Sequence, residues 1–306
     1  MKNIAVAIFG PTAVGKTNLS IDITTSCGEI ISVDSRQIYK YMDIGTAKPS
    51  IQELSKVKHH LIDIIMPDEK YAAGEFKRTS EKLIFEILNR NKIPFLVGGT
   101  GLYFSSLIRG MADIPEIKQD VKQYILDKWE EKGQLRMYSI LQRVDNEYSQ
   151  KIHGNDKQRT CRALEVFFST GKNLSSYIKE GNTKSQIEYI NIGLTLDRKE
   201  LYDRIDSRVD QMLKNGFIEE VESLLKMGYD ENCYAMKGIG YKEILLYLKS
   251  KISLDEAIYE TKKNSRHYAK RQITWFKNME NTEWFDSHDK EKIKTYIFNK
   301  IGEKHS

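Results

Sequence analysis

The sequence predicts an α/β fold: a P-loop NTPase-like parallel sheet core with a helical insertion domain and C-terminal helices. Three observations carry that expectation. Short apolar runs alternate with helix-period segments through the first hundred residues, the rhythm of βαβ units and hence of a doubly wound parallel sheet. Glycine-rich turns stand where two of those runs end. Strand signals then vanish from about residue 112 to 188 and return afterwards. Residues 1–111 and 189–306 are therefore expected to form one core, and 112–188 a helical insertion domain.

Taken in order, Ile4-Ala5-Val6-Ala7-Ile8-Phe9 is a continuous apolar run, as a strand buried on both faces requires. Gly10-Pro11-Thr12-Ala13-Val14-Gly15-Lys16-Thr17 then satisfies the pattern G-x-x-x-x-G-K-[ST] without a mismatch, and Thr17 to Thr25 reads as a helix. Strand, glycine turn and helix are the context this motif needs. Backbone N–H groups of such a turn converge on an anion, and the helix N-terminus adds roughly half a positive charge. Lys16 supplies a mobile cation, and the Thr17 hydroxyl is placed to hold Mg²⁺. The chain should bind a polyphosphate, but the loop does not choose between a nucleotide and another pyrophosphate carrier.

Glu29 to Val33 is the next strand, which puts Asp34 at a carboxyl end. His60 to Ile65 is a third candidate, ended by Pro67, and a helix follows from about Gly74 to Asn91. Ile93 to Val97 reads as another buried strand and delivers Gly98-Gly99-Thr100-Gly101. Ligands of these folds lie outside the carboxyl ends of the strands. The phosphate loop, Asp34 and Thr100 are thus expected in one cleft.

The insertion reads as helical, with apolar positions such as Ile125, Trp129 and Leu141. On one of its helices Gln158 and Arg162 are four apart, and Arg159 and Arg162 three apart, so they share a face. Tyr189 to Leu196 returns to strand, and Asp197 with Glu200 reads as a capping box. The helix it opens carries Arg204 and Arg208 on one face and stops near Gly216. Ser253 to Glu256 opens a long helix reaching about Met279, in which Lys263, Arg266, Lys270 and Lys277 form a stripe, with Arg271 beside it. A charge run is usually a solvated face, but one this poor in acids suits a phosphodiester backbone.

At 306 residues, 40% apolar and 30% charged, the chain is large enough for one substantial core and a smaller second unit. No stretch approaches the roughly 20 apolar residues needed to span a bilayer, so no membrane partner is expected. The apolar run after Lys2 is too short for a secretory signal. Cys27, Cys161 and Cys233 are far apart and lack C-x-x-C spacing, which argues for reduced cytoplasmic thiols and against a zinc site. A monomer is the default.

The phosphate loop, Val33 to Tyr39, Asp43-Ile44-Gly45-Thr46-Ala47-Lys48-Pro49, Gly98 to Tyr103 and Lys270-Arg271-Gln272-Ile273-Thr274-Trp275 occur in that order. Together they resemble the tRNA dimethylallyltransferases (tRNA isopentenylpyrophosphate transferases), from about Ile4 to Trp275. The resemblance implies transfer of a dimethylallyl group from dimethylallyl diphosphate to the exocyclic N6 amine of the adenosine 3′ of the anticodon. It implies Mg²⁺ as cofactor and the anticodon stem-loop of tRNA as partner. By the same resemblance Gly10, Pro11, Thr12, Ala13, Val14, Gly15, Lys16 and Thr17 hold the donor diphosphate, with Thr17 on the metal. Asp34 matches the base, Thr100 hydrogen-bonds the phosphates, and Arg208 reaches the diphosphate. Asp34, Ser35, Arg36, Gln37 and Thr100 adjoin the target base. Gln158, Arg159, Thr160, Cys161 and Arg162, with Lys270 and Arg271, touch the tRNA.

The chemistry fits these residue types. An adenine amine is a poor nucleophile, and a carboxylate taking its proton supplies typically about 10²–10⁴-fold. Departing pyrophosphate needs its charge neutralised, and the adenine must leave its stack. Plainer readings stay open: Asp34 as a metal-organising acid, Thr100 as a turn residue, and Arg204, Arg208, Gln158 and Arg162 as solvated surface. Three rival functions also stay open. An adenylate isopentenyltransferase would not need the insertion or the basic helix. A small-molecule P-loop kinase would need an adenine-clamping lid. A noncatalytic tRNA-binding module would tolerate Asp34→Asn.

Overall fold

In the computed structural model, which describes residues 3–181 and 186–305, six strands form one sheet: β1 (Ile4–Phe9), β2 (Gly28–Val33), β3 (His59–His60), β4 (Ile93–Gly98), β5 (Glu188–Thr195) and β6 (Thr282–Asp286). Their order is β3-β2-β4-β1-β5-β6, and every pairing is parallel. All six residues of β1 are buried, which is why the central strand is a continuous apolar run rather than an alternating one.

The chain divides into two compact units, Met1–Ile108 with Gln186–Ser306, and Arg109–Ser185. All the regular structure among the second unit's described residues is helical: Gln119–Val144, Asn146–Ser149, Lys157–Thr170 and Leu174–Glu180. It has its own core around Ile125, Leu141 and Leu164. Its first helix is broken at Gly133, whose φ of 72° lies in the left-handed region.

One expectation needs correction, and one segment without a reading finds its place. The third candidate strand shrinks to His59–His60, because Leu61 and Asp63 have positive φ (62° and 56°) and turn the chain out of the ladder. Only an isolated bridge from Ile65 to Tyr39 survives beyond it. The segment from Thr282 onward, whose part from Asp286 the sequence left without a role, closes the other edge of the sheet. β6 pairs with β5, and the helix Lys290–His305 buries Ile293, Ile297 and Ile301 in the main core.

Two capped helices complete the site's frame. Asp197 accepts from the N–H groups of Lys199 and Glu200 and starts the helix Arg198–Lys214. Ser253 accepts from Glu256 N–H and starts the helix Leu254–Phe276. The latter is seated by Phe276, which stacks on Phe9 at 4.8 Å, and by Ala269 in the main core.

Candidate active site

Strands β1, β2 and β4 finish level, since Phe9 and Val33 both pair with Gly98. The three turns that follow them therefore meet. In the phosphate loop, Ala13 and Gly15 adopt positive φ (65° and 105°). No side chain caps the helix Lys16–Thr24 that follows, so its first N–H groups remain available to an anion. Lys16 Nζ folds back to donate to the carbonyl oxygens of Gly10 (2.9 Å) and Pro11 (2.8 Å). Desolvation, then the neighbouring Arg208 charge, lower its pKa from the usual 10.5 to about 7, against a smaller opposing pull from Asp34. Arg208 reaches the same place from the Arg198–Lys214 helix and donates to Thr12 Oγ1 at 3.3 Å. Desolvation depresses its pKa too, with Asp34 opposing.

Asp34 follows β2 directly. Its Oδ1 accepts from the N–H groups of Arg36 (2.8 Å) and Gln37 (3.4 Å), which fixes the carboxylate against its own turn. Thr100, after β4, donates its N–H to Val33 O (3.1 Å), and its hydroxyl oxygen accepts from Ser35 N–H (3.0 Å). The second and third turns are thus tied together with the Thr100 side chain beside Asp34's neighbour.

Two cavities share this corner. One, of about 170 Å³, is lined by Lys16, Thr17, Ser32 and Gln272. The other, of about 330 Å³, is bounded by Arg36, Gly238, Tyr241, Ser265 and Arg271. Thr12, Asp34, Thr46, Ala47, Arg208 and Tyr268 line both. Asp34 therefore stands where a cationic pocket opens into a larger, mixed one.

Sequence reasoning gave no role to Gln272 or Tyr268. Gln272 is buried; its Oε1 accepts from Thr12 N–H (2.8 Å) and its Nε2 donates to Gly99 O (2.8 Å), so one carboxamide stitches two glycine turns together. A Cβ on Gly99 would stand 2.3 Å from that Nε2, so the turn needs glycine there. Burial, with Asp34 adding, pushes the Tyr268 hydroxyl up to about 12, so it stays protonated and can donate. The only advance signal for Gln272 was its place in the Lys270 to Trp275 motif.

Several residues expected to touch RNA also bond within the protein. The Gln37 amide donates to Ala47 O (3.1 Å) and Thr46 O (3.4 Å), and its oxygen accepts from Ser32 Oγ (3.2 Å). Arg36 donates to Tyr234 O (3.2 Å) and lies over the Tyr234 ring. In the helical unit Gln158 and Arg159 are exposed and Arg162 is half-buried. Thr160 and Cys161 are buried, Cys161 in that unit's core. The expected stripe narrows as well. Lys262 pairs with Asp210, Lys263 with Glu260 and Arg266 with Asp206. Lys270, Arg271 and Lys277 are exposed and have no carboxylate partner among the described residues. Tyr39 and Tyr103 are buried packing residues, the latter stacked on Phe76 at 4.1 Å.

Comparison with known proteins agrees with this geometry. The IPP transferase family model matches residues 37–279. A tRNA dimethylallyltransferase of Acetivibrio thermocellus is 46% identical over 307 residues, covering 97% of this chain and 98% of that protein. One from Thermotoga sp. strain RQ2 is 48% identical over 281 residues, 91% of each. The crystal structure of the full-length tRNA isopentenylpyrophosphate transferase from Bacillus halodurans superposes with a TM-score of 0.74 at 39% identity, covering 100% of this chain and 98% of its own. A eukaryotic dimethylallyltransferase acting on tRNA reaches a TM-score of 0.79 at 31% identity, over 94% of this chain and 74% of its own. Sequence motifs, sheet topology and site geometry converge, and this chain belongs to the IPP transferase family.

Proposed function

We propose that this protein transfers the dimethylallyl group of dimethylallyl diphosphate to the N6 amine of the adenosine 3′ of the anticodon in tRNA. The observation that carries this reading is the position of Asp34 on the wall common to a cationic cavity and a larger one beside it. The diphosphate lies on the phosphate-loop amides, between Lys16 and Arg208, and the allylic carbon points toward Asp34. The flipped adenine occupies the second cavity. As the N6 lone pair attacks, the C–N bond forms, the C–O bond to diphosphate breaks, and the N6 proton passes to the Asp34 carboxylate. Lys16 and Arg208 neutralise the charge that develops on the leaving oxygens, and the Thr100 hydroxyl hydrogen-bonds them.

Thr17 lines the cationic cavity, and its hydroxyl with phosphate oxygens makes the hard oxygen donor set that suits Mg²⁺, which would add to the neutralisation of the diphosphate. Lys270, Arg271 and Lys277 on one unit, and Gln158, Arg159 and Arg162 on the other, are the groups we assign to the tRNA backbone. Among the described residues no helix is long and apolar enough to cross a membrane. Three free cysteines suit a reducing cytoplasm, where we place the reaction, with the protein acting as a monomer.

The test offers the protein Mg²⁺, labelled dimethylallyl diphosphate, and unmodified tRNA and AMP in parallel. Label on a tRNA adenosine alone is the expected result. Label on AMP alone would make it a nucleotide prenyltransferase. ATP consumption with no label transferred would make it a kinase and remove the role of Asp34.

A further inference from the structure

The motif Asp43-Ile44-Gly45-Thr46-Ala47-Lys48-Pro49 supplies no group to the chemistry above, yet its middle builds the site: Thr46 and Ala47 border both cavities. The segment has no regular structure and, apart from the Lys48 side chain, is only partly buried, so specific bonds must hold it still. On its N–H side it is held by one carboxylate. Glu220 Oε2 accepts from Asp43 N–H (2.8 Å) and Ile44 N–H (2.7 Å), while Oε1 accepts from Gly45 N–H (3.1 Å) and Tyr241 Oη (2.6 Å). Three successive amides aimed at one anion make a nest, filled here by a side chain from the helix Phe217–Lys226.

The other side is gripped as well. Gln37 donates to the carbonyl oxygens of Thr46 and Ala47, and Lys48 Nζ anchors the far end on Tyr39 O (2.6 Å) and Asp43 (2.6 Å). A Cβ on Gly45 would come within 2.2 Å of the Phe217 ring, so the loop lies directly against the base of the Glu220 helix. Ala47 sits at a φ of +50°, a conformation that persists only where the surroundings over-determine it.

We propose that Glu220, with Tyr241 bonded to one of its oxygens, is a positioning residue that fixes the Asp43–Ala47 loop as the wall shared by the donor and acceptor cavities. Its functional part rests on the transferase reading above. Glu220 itself lines neither cavity, so it acts through Thr46 and Ala47. With the carboxylate gone, three amides lose their acceptor and the wall relaxes. A displacement of about 1 Å near reacting groups can cost on the order of 10²-fold.

The experiment compares the wild type with Glu220→Ala by amide hydrogen exchange over the loop and by transfer kinetics, with and without added formate. In Glu220→Ala the loop amides should lose protection, and kcat/KM for transfer should fall by roughly 10²-fold while tRNA Kd moves by less than about twofold. Formate, a carboxylate small enough to enter the vacated nest, should restore both protection and rate; a fold that is merely weakened would not respond. Unchanged loop protection, a lost rate that formate does not restore, or a tRNA Kd that weakens in step with the rate would each overturn the proposal. If Glu220→Ala does not fold, Glu220→Gln, which keeps one acceptor oxygen, is compared on the same readouts and should show a smaller loss. Should the wild type transfer no label, the transferase reading fails, and the exchange arm still decides whether Glu220 holds the loop.

Discussion

At the amino ends of the strands, Glu29 is 2% exposed and surrounded by basic side chains: His60 Nε2 at 2.7 Å, Arg90 Nη2 at 2.8 Å, Lys92 at 3.4 Å and Lys58 at 3.9 Å. At the carboxyl ends of the same strands, Lys16 and Arg208 sit in a cleft with no carboxylate in a salt bridge to either among the described residues, their polar contacts being backbone carbonyls and one hydroxyl. Burial opposes the charge of Glu29, but hydrogen bonds from Arg90 and His60 outweigh it and hold the carboxyl at about 2. For Lys16, burial and the Arg208 charge outweigh the pull of Asp34, and its pKa falls to about 7. A fold tolerates a buried charge that it neutralises. One left unneutralised in a cleft marks where an oppositely charged ligand belongs.

The contrast gives opposite pH signatures. Glu29 has a folded pKa below its usual 4.5, so its contribution to stability is present above that value and is lost as pH falls toward 2. Lys16 has a folded pKa below its usual 10.5, so between pH 7 and 10.5 the unfolded chain binds more protons and stability rises with pH. The cost of Lys16 is fully present below pH 7.

Substitutions at the two ends should separate accordingly. Asp34→Asn keeps the shape of the site but removes the proton acceptor, and single-turnover transfer should slow by about 10²–10⁴-fold with tRNA affinity retained. Gln272→Ala unties Thr12 from Gly99, and initial rates should show the donor KM rising roughly tenfold, more than kcat falls. Glu29→Gln should leave transfer rates unchanged and lower the unfolding free energy by about 1–3 kcal/mol, read by denaturant titration. A rate loss in Glu29→Gln, or none in Asp34→Asn, would erase the distinction between a structural and a functional end.

The candidate site was legible in the sequence where its parts are local. The phosphate loop, Asp34 after a strand and Thr100 in a glycine turn announce themselves by glycines and apolar runs, and a parallel sheet of this kind must bring them together. The bonds that tune the corner were not legible. Gln272 meets Thr12 across 260 residues of chain, and Glu220 meets the Asp43–Gly45 amides across 175 to 177; no local pattern encodes such pairs. The third strand was overread because apolar residues continue past His60, while the positive φ at Leu61 and Asp63 that breaks it has no glycine to signal it. The Gln158 to Arg162 segment was assigned to tRNA as a whole by resemblance, and which of its side chains are exposed was not legible, because a helix turns neighbouring side chains to different faces and here buries Thr160 and Cys161.

The most direct test of the central claim, that Lys16 is kept unpaired for a diphosphate, is proton counting. Dimethylallyl diphosphate is titrated calorimetrically at pH 8, without Mg²⁺, in two buffers of different ionisation enthalpy, into the wild type and Lys16→Met. At that pH most Lys16 side chains have lost their proton in the free protein, and the bound diphosphate restores it. The wild type should take up about one proton more per ligand than the variant. Equal proton counts in the two proteins would contradict the account.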